Sequence, residues 1–270
     1  MPEKGIIEPC LLKGEDLPGE TPLYQYLSIE KFLYLRVWKR VTFSRITSWL
    51  DAYEGFRFDY FNKFLSVPEF ADNKNDDFFG SCWSLQNEDI CLFVDSREYE
   101  AALEELKKEG SASMWEAYCR YGGVRIKTTI NKLNELFATK LSECKLLRRG
   151  KVYYEPKEIY NTIEGISTFF AKPISFRHES EYRYILLPNK PKDEKLIYFE
   201  IGDLFHLIDE ILVAPATKAN KWISRTLYNI GVGISIAPHR EENVKNGKQF
   251  CRISQLYGKI SEDTDHFDMV

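Results

Sequence analysis

An α+β fold, built of mixed and mostly antiparallel sheets with flanking helices, is predicted by three features of this 270-residue chain. Aromatic side chains make up 14% of it, chiefly 16 Tyr and 18 Phe, and these favour the pleated, half-buried surface of a sheet. Short β-forming runs such as Leu23–Leu27 and Val124–Thr129 are interspersed with helix-period stripes such as Ile130, Leu133, Phe137, Leu141 and Cys144. Repeats, low-complexity linkers and composition breaks are absent, so residues 23–258 read as one α+β domain. An irregular arm rich in Pro and Gly precedes it (1–22), and an acidic tail follows (259–270).

After the arm, Leu23–Leu27 is a strand, and Ser28 is placed to cap a helix from Ile29 to Trp38 with Phe32, Leu33 and Leu35 inward. Val41–Ser44 is the next strand, and Arg45–Gly55 is rich in turn residues. Aromatics in Phe56–Phe70 predict a packed helix, and the polar run Asp72–Asp77 a loop. Phe78–Ser84 and Ile90–Val94 read as strands. Asp95 with Glu98 resembles a capping box for a helix reaching Lys108, and Ser113 with Glu116 repeats the pattern for a shorter one. Val124–Thr129 is a strand, followed by the helix whose stripe runs from Ile130 to Cys144. Val152–Tyr154 is a strand, and Ile159, Ile163, Ile166 and Phe170 mark a helix stopped by Pro173. Further strands are expected beyond Pro173 to Leu187, then at Leu196–Ile201, Glu210–Ala214, Gly233–Ala237 and Phe250–Leu256. A helix over Lys218–Ile230, with Gly231 after it, separates two of these strands.

The net charge of −4 provides no global field toward nucleic acid or a membrane. Charge is uneven, though: residues 69–109 are acidic and residues 120–151 basic, the latter either a solvated face or a landing zone for an anionic partner. Six cysteines lack C-x-x-C spacing and neighbouring histidines, which predicts reduced thiols and no structural zinc. No secretory leader and no apolar run of membrane-spanning length is present, so a cytoplasmic protein is expected.

The segment Phe169–Leu187 is the centre of the functional argument. Glu179, Glu181 and Arg183 are spaced two apart, so an extended strand would present all three on one face. The trio is either a cross-strand charge ladder or a site. Phosphate-loop, dinucleotide-fingerprint, zinc-protease and nucleophile-elbow motifs are absent, and the four histidines are isolated.

Several short motifs, in order, resemble a known family. They are Leu23-Tyr24-Gln25-Tyr26-Leu27-Ser28, Phe43-Ser44-Arg45, Glu54-Gly55, Ser81-Cys82-Trp83-Ser84, and Met114-Trp115 with Tyr118. Gly123-Val124, Lys172-Pro173, Phe176 with Glu179, Glu181-Tyr182-Arg183, and Glu210-Ile211-Leu212 follow. The succession is similar to the bacterial proteins grouped as domain of unknown function 2971, over residues 23 to about 236. Two departures are Gln25, where the family usually has a basic residue, and Trp49–Glu54, where it usually has an Asn-Asp-Pro-Phe-Glu turn.

The order of an early polar strand residue, a serine-containing aromatic strand and a late E-x-E strand also resembles ADP-ribosyltransferases. That resemblance implies an ADP-ribosyltransferase-like core and NAD as substrate, with no metal. It implies mono-ADP-ribosylation of a nucleic acid or protein by a bacterial toxin or phage-defence effector, restrained by an antitoxin or inhibitor protein. Glu181 would stabilise the oxocarbenium-like state and Glu179 would activate or orient the acceptor. Gln25 and Ser84 would bind the nicotinamide ribose or amide, Arg45 the pyrophosphate, and Trp83 and Tyr118 would wall the ring. For Trp115 and Tyr118, core packing is the competing expectation. Arg183 is expected to hold a glutamate ionised. Two alternatives stand beside the transferase: a non-catalytic sensor or interaction module of a defence system, and a metal-dependent nuclease using Glu179 and Glu181.

Overall fold

Along Leu23–Ser28, Leu23 and Leu27 alternate with Tyr24 and Tyr26, and this alternation sets the two faces of the central sheet. The computed structural model describes residues 7–10, 16–49, 77–86, 99–155, 165–190, 192–202, 204–215, 222, 250–254 and 256. Expectations at 56–70, 90–94, 95–98, 159–164 and 233–237 lie outside these residues, as do those at 72–76, at 218–230 apart from residue 222, and for the tail.

The fold is mixed α/β with a mostly antiparallel open sheet. Its strands are β1 (Glu8–Pro9), β2 (Pro22–Ser28), β3 (Arg40–Arg45), β4 (Phe79–Ser84), β5 (Gly123–Thr129) and β6 (Cys144–Lys151). They continue with β7 (Tyr153–Glu155), β8 (Ala171–Pro173), β9 (Glu181–Pro188), β10 (Leu196–Glu200), β11 (Glu210–Val213) and β12 (Phe250–Ile253). The helices are α1 (Ile29–Trp38), α2 (Tyr99–Glu109), α3 (Ala112–Cys119), α4 (Ile130–Ala138) and the single turn α5 (Leu204–Leu207). The main path runs β1-β6-β9-β4-β2-β5-β11-β12, and β3 with β10 branches from β4; β7 and β8 pair separately.

The branch at β4 has a structural consequence. Phe79 and Gly80 pair with β3, whereas Ser84 pairs with Tyr24 of β2. Between these ends the sheet forks, and the Gln25 amide donates to the Cys82 carbonyl at 3.0 Å across the fork.

One face carries the main core. Leu23, Leu27, Phe79, Trp83, Val124, Ile126, Tyr182, Tyr184 and Leu186 pack there against Phe32 and Leu35 of α1 and Ile130, Leu133 and Phe137 of α4. Phe137 is its hub, with ring centroids 4.8 Å from Phe43, 4.8 Å from Tyr184 and 4.9 Å from Phe199. Burial of these large rings is the principal stabilising term. The second face has two smaller apolar clusters, one around Phe169, Phe170, Ile185 and Leu187, the other around Tyr26, Met114, Trp115 and Leu212.

The structure corrects several local expectations. The α4 helix stops at Ala138, and Cys144 opens the strand β6 instead of closing a helical stripe. The stripe residues Ile166 and Phe170 lie in a 3-10 segment, Gly165–Phe170. The cap of α3 is Ser111, whose hydroxyl accepts from the Met114 N–H, and not Ser113. Leu33 of α1 points outward. Within the arm, Glu8–Pro9 adds a parallel strand to β6. The basic stretch is no single face: Arg125 is buried against Glu210, and Arg149 makes a two-pronged pair with Asp16. Cys10, Cys82, Cys119 and Cys144 are reduced thiols outside any disulfide.

Gly123 tests the β2–β5 packing, because a Cβ there would lie 2.2 Å from the Leu27 carbonyl oxygen. Gly123→Ala is expected to destabilise the fold by about 1–3 kcal/mol through overpacking, read as a lower urea midpoint. Gly202→Ala, where no heavy atom lies within 4 Å, serves as the control and changes stability by less than about 0.5 kcal/mol.

Candidate functional site

Antiparallel register builds the site. Tyr24 of β2 sits opposite Ser84 of β4, and Ser84 sits opposite Glu181 of β9. Directly paired residues share a face, so Tyr24, Ser84 and Glu181 form one row across three adjacent strands. The row lies on the second face, in sheet order between its two apolar clusters. Arg183 pairs with Cys82 one step along the same face.

Glu181 opens its strand; Glu179 does not belong to it. Residues Ile174–Glu179 form a 3-10 segment in place of the predicted strand. Ser180 then turns the chain in the left-handed region at φ 43°, which costs a serine about 1–2 kcal/mol. This turn leaves both carboxylates within reach of Lys172, whose ammonium donates to Glu179 Oε2 at 2.6 Å and to Glu181 Oε1 at 2.8 Å. The other Glu181 oxygen accepts from Arg183 Nε, and an Arg183 Nη1 hydrogen bond of 2.8 Å to the Phe169 carbonyl fixes that guanidinium. The Glu181 backbone N–H donates to the Tyr154 hydroxyl at 2.7 Å.

Sequence reasoning assigns Lys172 no role at the site. It reaches the acids because β8 pairs with β7, placing Lys172 beside Tyr154. Its only sequence signal is its place before Pro173, seven residues ahead of Glu179.

The two carboxyls titrate apart. Burial pushes Glu181 upward, but the charges of Arg183 and Lys172 outweigh it and hold this acid well below the usual carboxylate range. Burial, reinforced by the hydrogen bond and charge from Glu181, pushes Glu179 up to about 8 despite its contact with Lys172. Near neutral pH the pair therefore offers one carboxylate and one largely protonated carboxyl.

Ser84 is 2% exposed, and its hydroxyl is a buried polar atom without a hydrogen-bond partner. An orphaned buried hydroxyl beside an ionised carboxylate fits a ligand that carries hydroxyls. On the other side of the row, the Arg125 guanidinium lies 4.6 Å over the Tyr24 ring and pairs with Glu210 at 3.0 Å. Tyr118 of α3 is 42% exposed, and its phenol is raised chiefly by the burial of its ring and then by the charges of Glu179 and Glu181, within whose electrostatic reach it lies. Its helix neighbour Trp115 is core, donating to the Glu109 carbonyl at 2.9 Å.

The structure thus brings Glu181, Glu179, Ser84 and Tyr118 together. Trp83 does not join them: it lies on the main-core face, 2% exposed, and its indole donates to Ser81 at 3.1 Å. Arg45 pairs with Phe79 at the far end of β4, and its guanidinium donates to the Lys192 and Glu194 carbonyls. Five strand steps, about 17 Å, separate Arg45 from the row. Gln25 shares the phase of Leu23 and Leu27, so the strand-β2 residue facing the acids is Tyr24. Among the described residues, no group of three or more His, Cys, Asp or Glu gathers as a metal cluster, and no helix is long and apolar enough to cross a membrane. Neither a family model, nor a curated protein, nor a solved structure matches the chain.

Lys172→Met removes the cation shared by buried Glu181 and half-buried Glu179 and is expected to cost about 3–5 kcal/mol, measured by chemical denaturation. The pH dependence carries the opposite signature for Glu179. Its native pKa near 8 lies above the ordinary value of 4.5, so its contribution is fully present below that value and is lost as pH rises through about 8. Across this window, wild type should lose stability relative to Glu179→Gln in urea titrations at stepped pH.

Proposed function

We propose that the chain is an NAD-dependent mono-ADP-ribosyltransferase that modifies a macromolecule. The observation that carries this reading is the Tyr24–Ser84–Glu181 row, in which an unpartnered buried hydroxyl adjoins an ionised carboxylate. Such a pair suits a ribose: the serine binds one sugar hydroxyl, and Glu181 accepts from another while facing the anomeric carbon. The nicotinamide–ribose C–N bond breaks, its electron pair leaves with the nicotinamide nitrogen, and positive charge builds on the ring oxygen and anomeric carbon. A fixed carboxylate lowers the energy of that state, because Glu181 is already ionised and already oriented by Arg183 and Lys172. The acceptor's nucleophilic atom then bonds to the anomeric carbon, and its proton passes to Glu179 in its ionised form, the minor form near neutrality, which grows as pH rises toward about 8. Tyr118, exposed and within electrostatic reach of the acids, is positioned to stack on the nicotinamide. An ADP-ribosyltransferase-like core, a toxin or phage-defence role and restraint by an inhibitor protein belong to the same proposal.

A second reading is supported by the saturation of Glu181. Its oxygens already accept from Lys172 and Arg183, as structural wiring of a non-catalytic interaction module would require.

Incubation with labelled NAD, total RNA and total protein separates the two. The transferase reading expects label transfer that falls at least about 100-fold in Glu181→Gln and rises with pH toward 8 only when Glu179 is present. Identical label in wild type and variant, with both folded, would remove the transferase and leave the module.

A further inference from the structure

We infer that the outer surface of α1, continued onto β10, is a docking surface for single-stranded nucleic acid. The helix is unusual for one that packs on a core. Phe32 and Leu35 are buried, but Leu33, Val37 and Trp38 are 44%, 69% and 60% exposed. Tyr34 joins Trp38 to Tyr198 of β10, with ring centroids 6.4 Å and 6.1 Å apart and tilts of 35° and 32°. The Arg40 guanidinium lies 5.4 Å over Tyr198. The result is a surface run of three rings with a cation at one end.

Charge selects the occupant. Lys31, Lys39 and Arg40 lie on the side of the rings against the acid Glu30, whereas Arg36, two residues from both Tyr34 and Trp38, stands on the opposite side of the helix. Glu200 pairs with Arg40 at 3.0 Å, and Glu194 acts on Tyr198 from the turn before β10. A second copy of this chain would oppose cation to cation across the patch, which is repulsive. A nucleic-acid strand supplies what the surface lacks: one anion per nucleotide for the cations, and flat apolar bases for Trp38, Tyr34 and Tyr198. Leu33 and Val37 extend the apolar strip beside the rings. A single strand fits better than a duplex, because only unstacked bases offer their faces to side chains.

The patch lies on the main-core side of the sheet, whereas the acid pair lies on the other. Docking is therefore independent of the proposed transferase activity, and its test uses no NAD.

Fluorescence anisotropy with labelled oligo(U) and oligo(dT), at stepped salt, is the experiment. Wild type is expected to bind both, with log affinity falling against log salt at a slope of about −2, as three neutralised phosphates require. Trp38→Ala, a change at an exposed position with its fold checked by melting, weakens binding roughly 5- to 100-fold. The double variant Lys31→Ala/Lys39→Ala shallows the slope by about 1.4. Glu181→Gln binds like wild type, which keeps failure of the transferase distinct from failure of docking. Equal affinity in wild type and Trp38→Ala would overturn the inference. So would absence of oligonucleotide binding together with a sedimenting dimer that Trp38→Ala abolishes, since the patch would then join two copies of the chain.

Discussion

A carboxylate can stay ionised inside a protein only if cations and donors replace the water it has lost, and Glu181 meets that condition through Lys172 and Arg183. Much of the second face is arranged around this demand. The strand β8 exists as a pair with β7, and that pairing holds Lys172 under the acids. Arg183 is locked by the Phe169 carbonyl, at the end of the 3-10 segment leading into β8. Ser180 accepts a left-handed conformation so that Glu179 folds back toward the same ammonium.

The division of labour between the two faces follows. The main-core face is aromatic and aliphatic, closed by α1 and α4, and carries the hydrophobic stabilisation. The second face gives up apolar contact along the row Tyr24–Ser84–Glu181 and replaces it with charge pairs and one unsatisfied hydroxyl. Buried ion pairs seldom improve on a well-packed apolar cluster in stability. Here they gather where β4 ends at Ser84 and β9 begins at Glu181, at the ends of two neighbouring interior strands.

The fork at β4 bears on the same question. A strand that pairs with β3 at one end and β2 at the other leaves backbone groups open between them, and the Gln25 amide fills that opening at Cys82. Gln25 acts as a spacer in this arrangement, while its neighbour Tyr24 joins the polar row. Arg45 and Phe79 belong to the other branch of the fork, which explains why an arginine adjacent in motif order is remote in space.

Local pattern alone determined a good deal. The alternation in β2, the strand β5 and the buried side of α4 follow from side-chain periodicity, because burial on one face imposes a period of 2 or 3.6 on the chain itself, and the bounds of α1 follow from Ser28 ahead of Ile29. The grouping of Glu179, Glu181 and Arg183 was also legible, although Glu179 reaches the other two from a 3-10 segment and not from their strand. Phase is legible too: Gln25, in step with Leu23 and Leu27, belongs to the core face of β2. Other matters were settled only by tertiary structure. Whether residues 174–179 extend or coil depended on Ser180 and on the reach of Lys172, and β6 formed from a basic segment because its arginines found Glu8 and Asp16 in the distant arm. Trp83 and Tyr118, both aromatic and both near a serine or glutamate in motif order, went to opposite faces. Sequence spacing fixes neighbours within one element, but register between strands, which chose Ser84 to face Glu181, is a property of the assembled sheet.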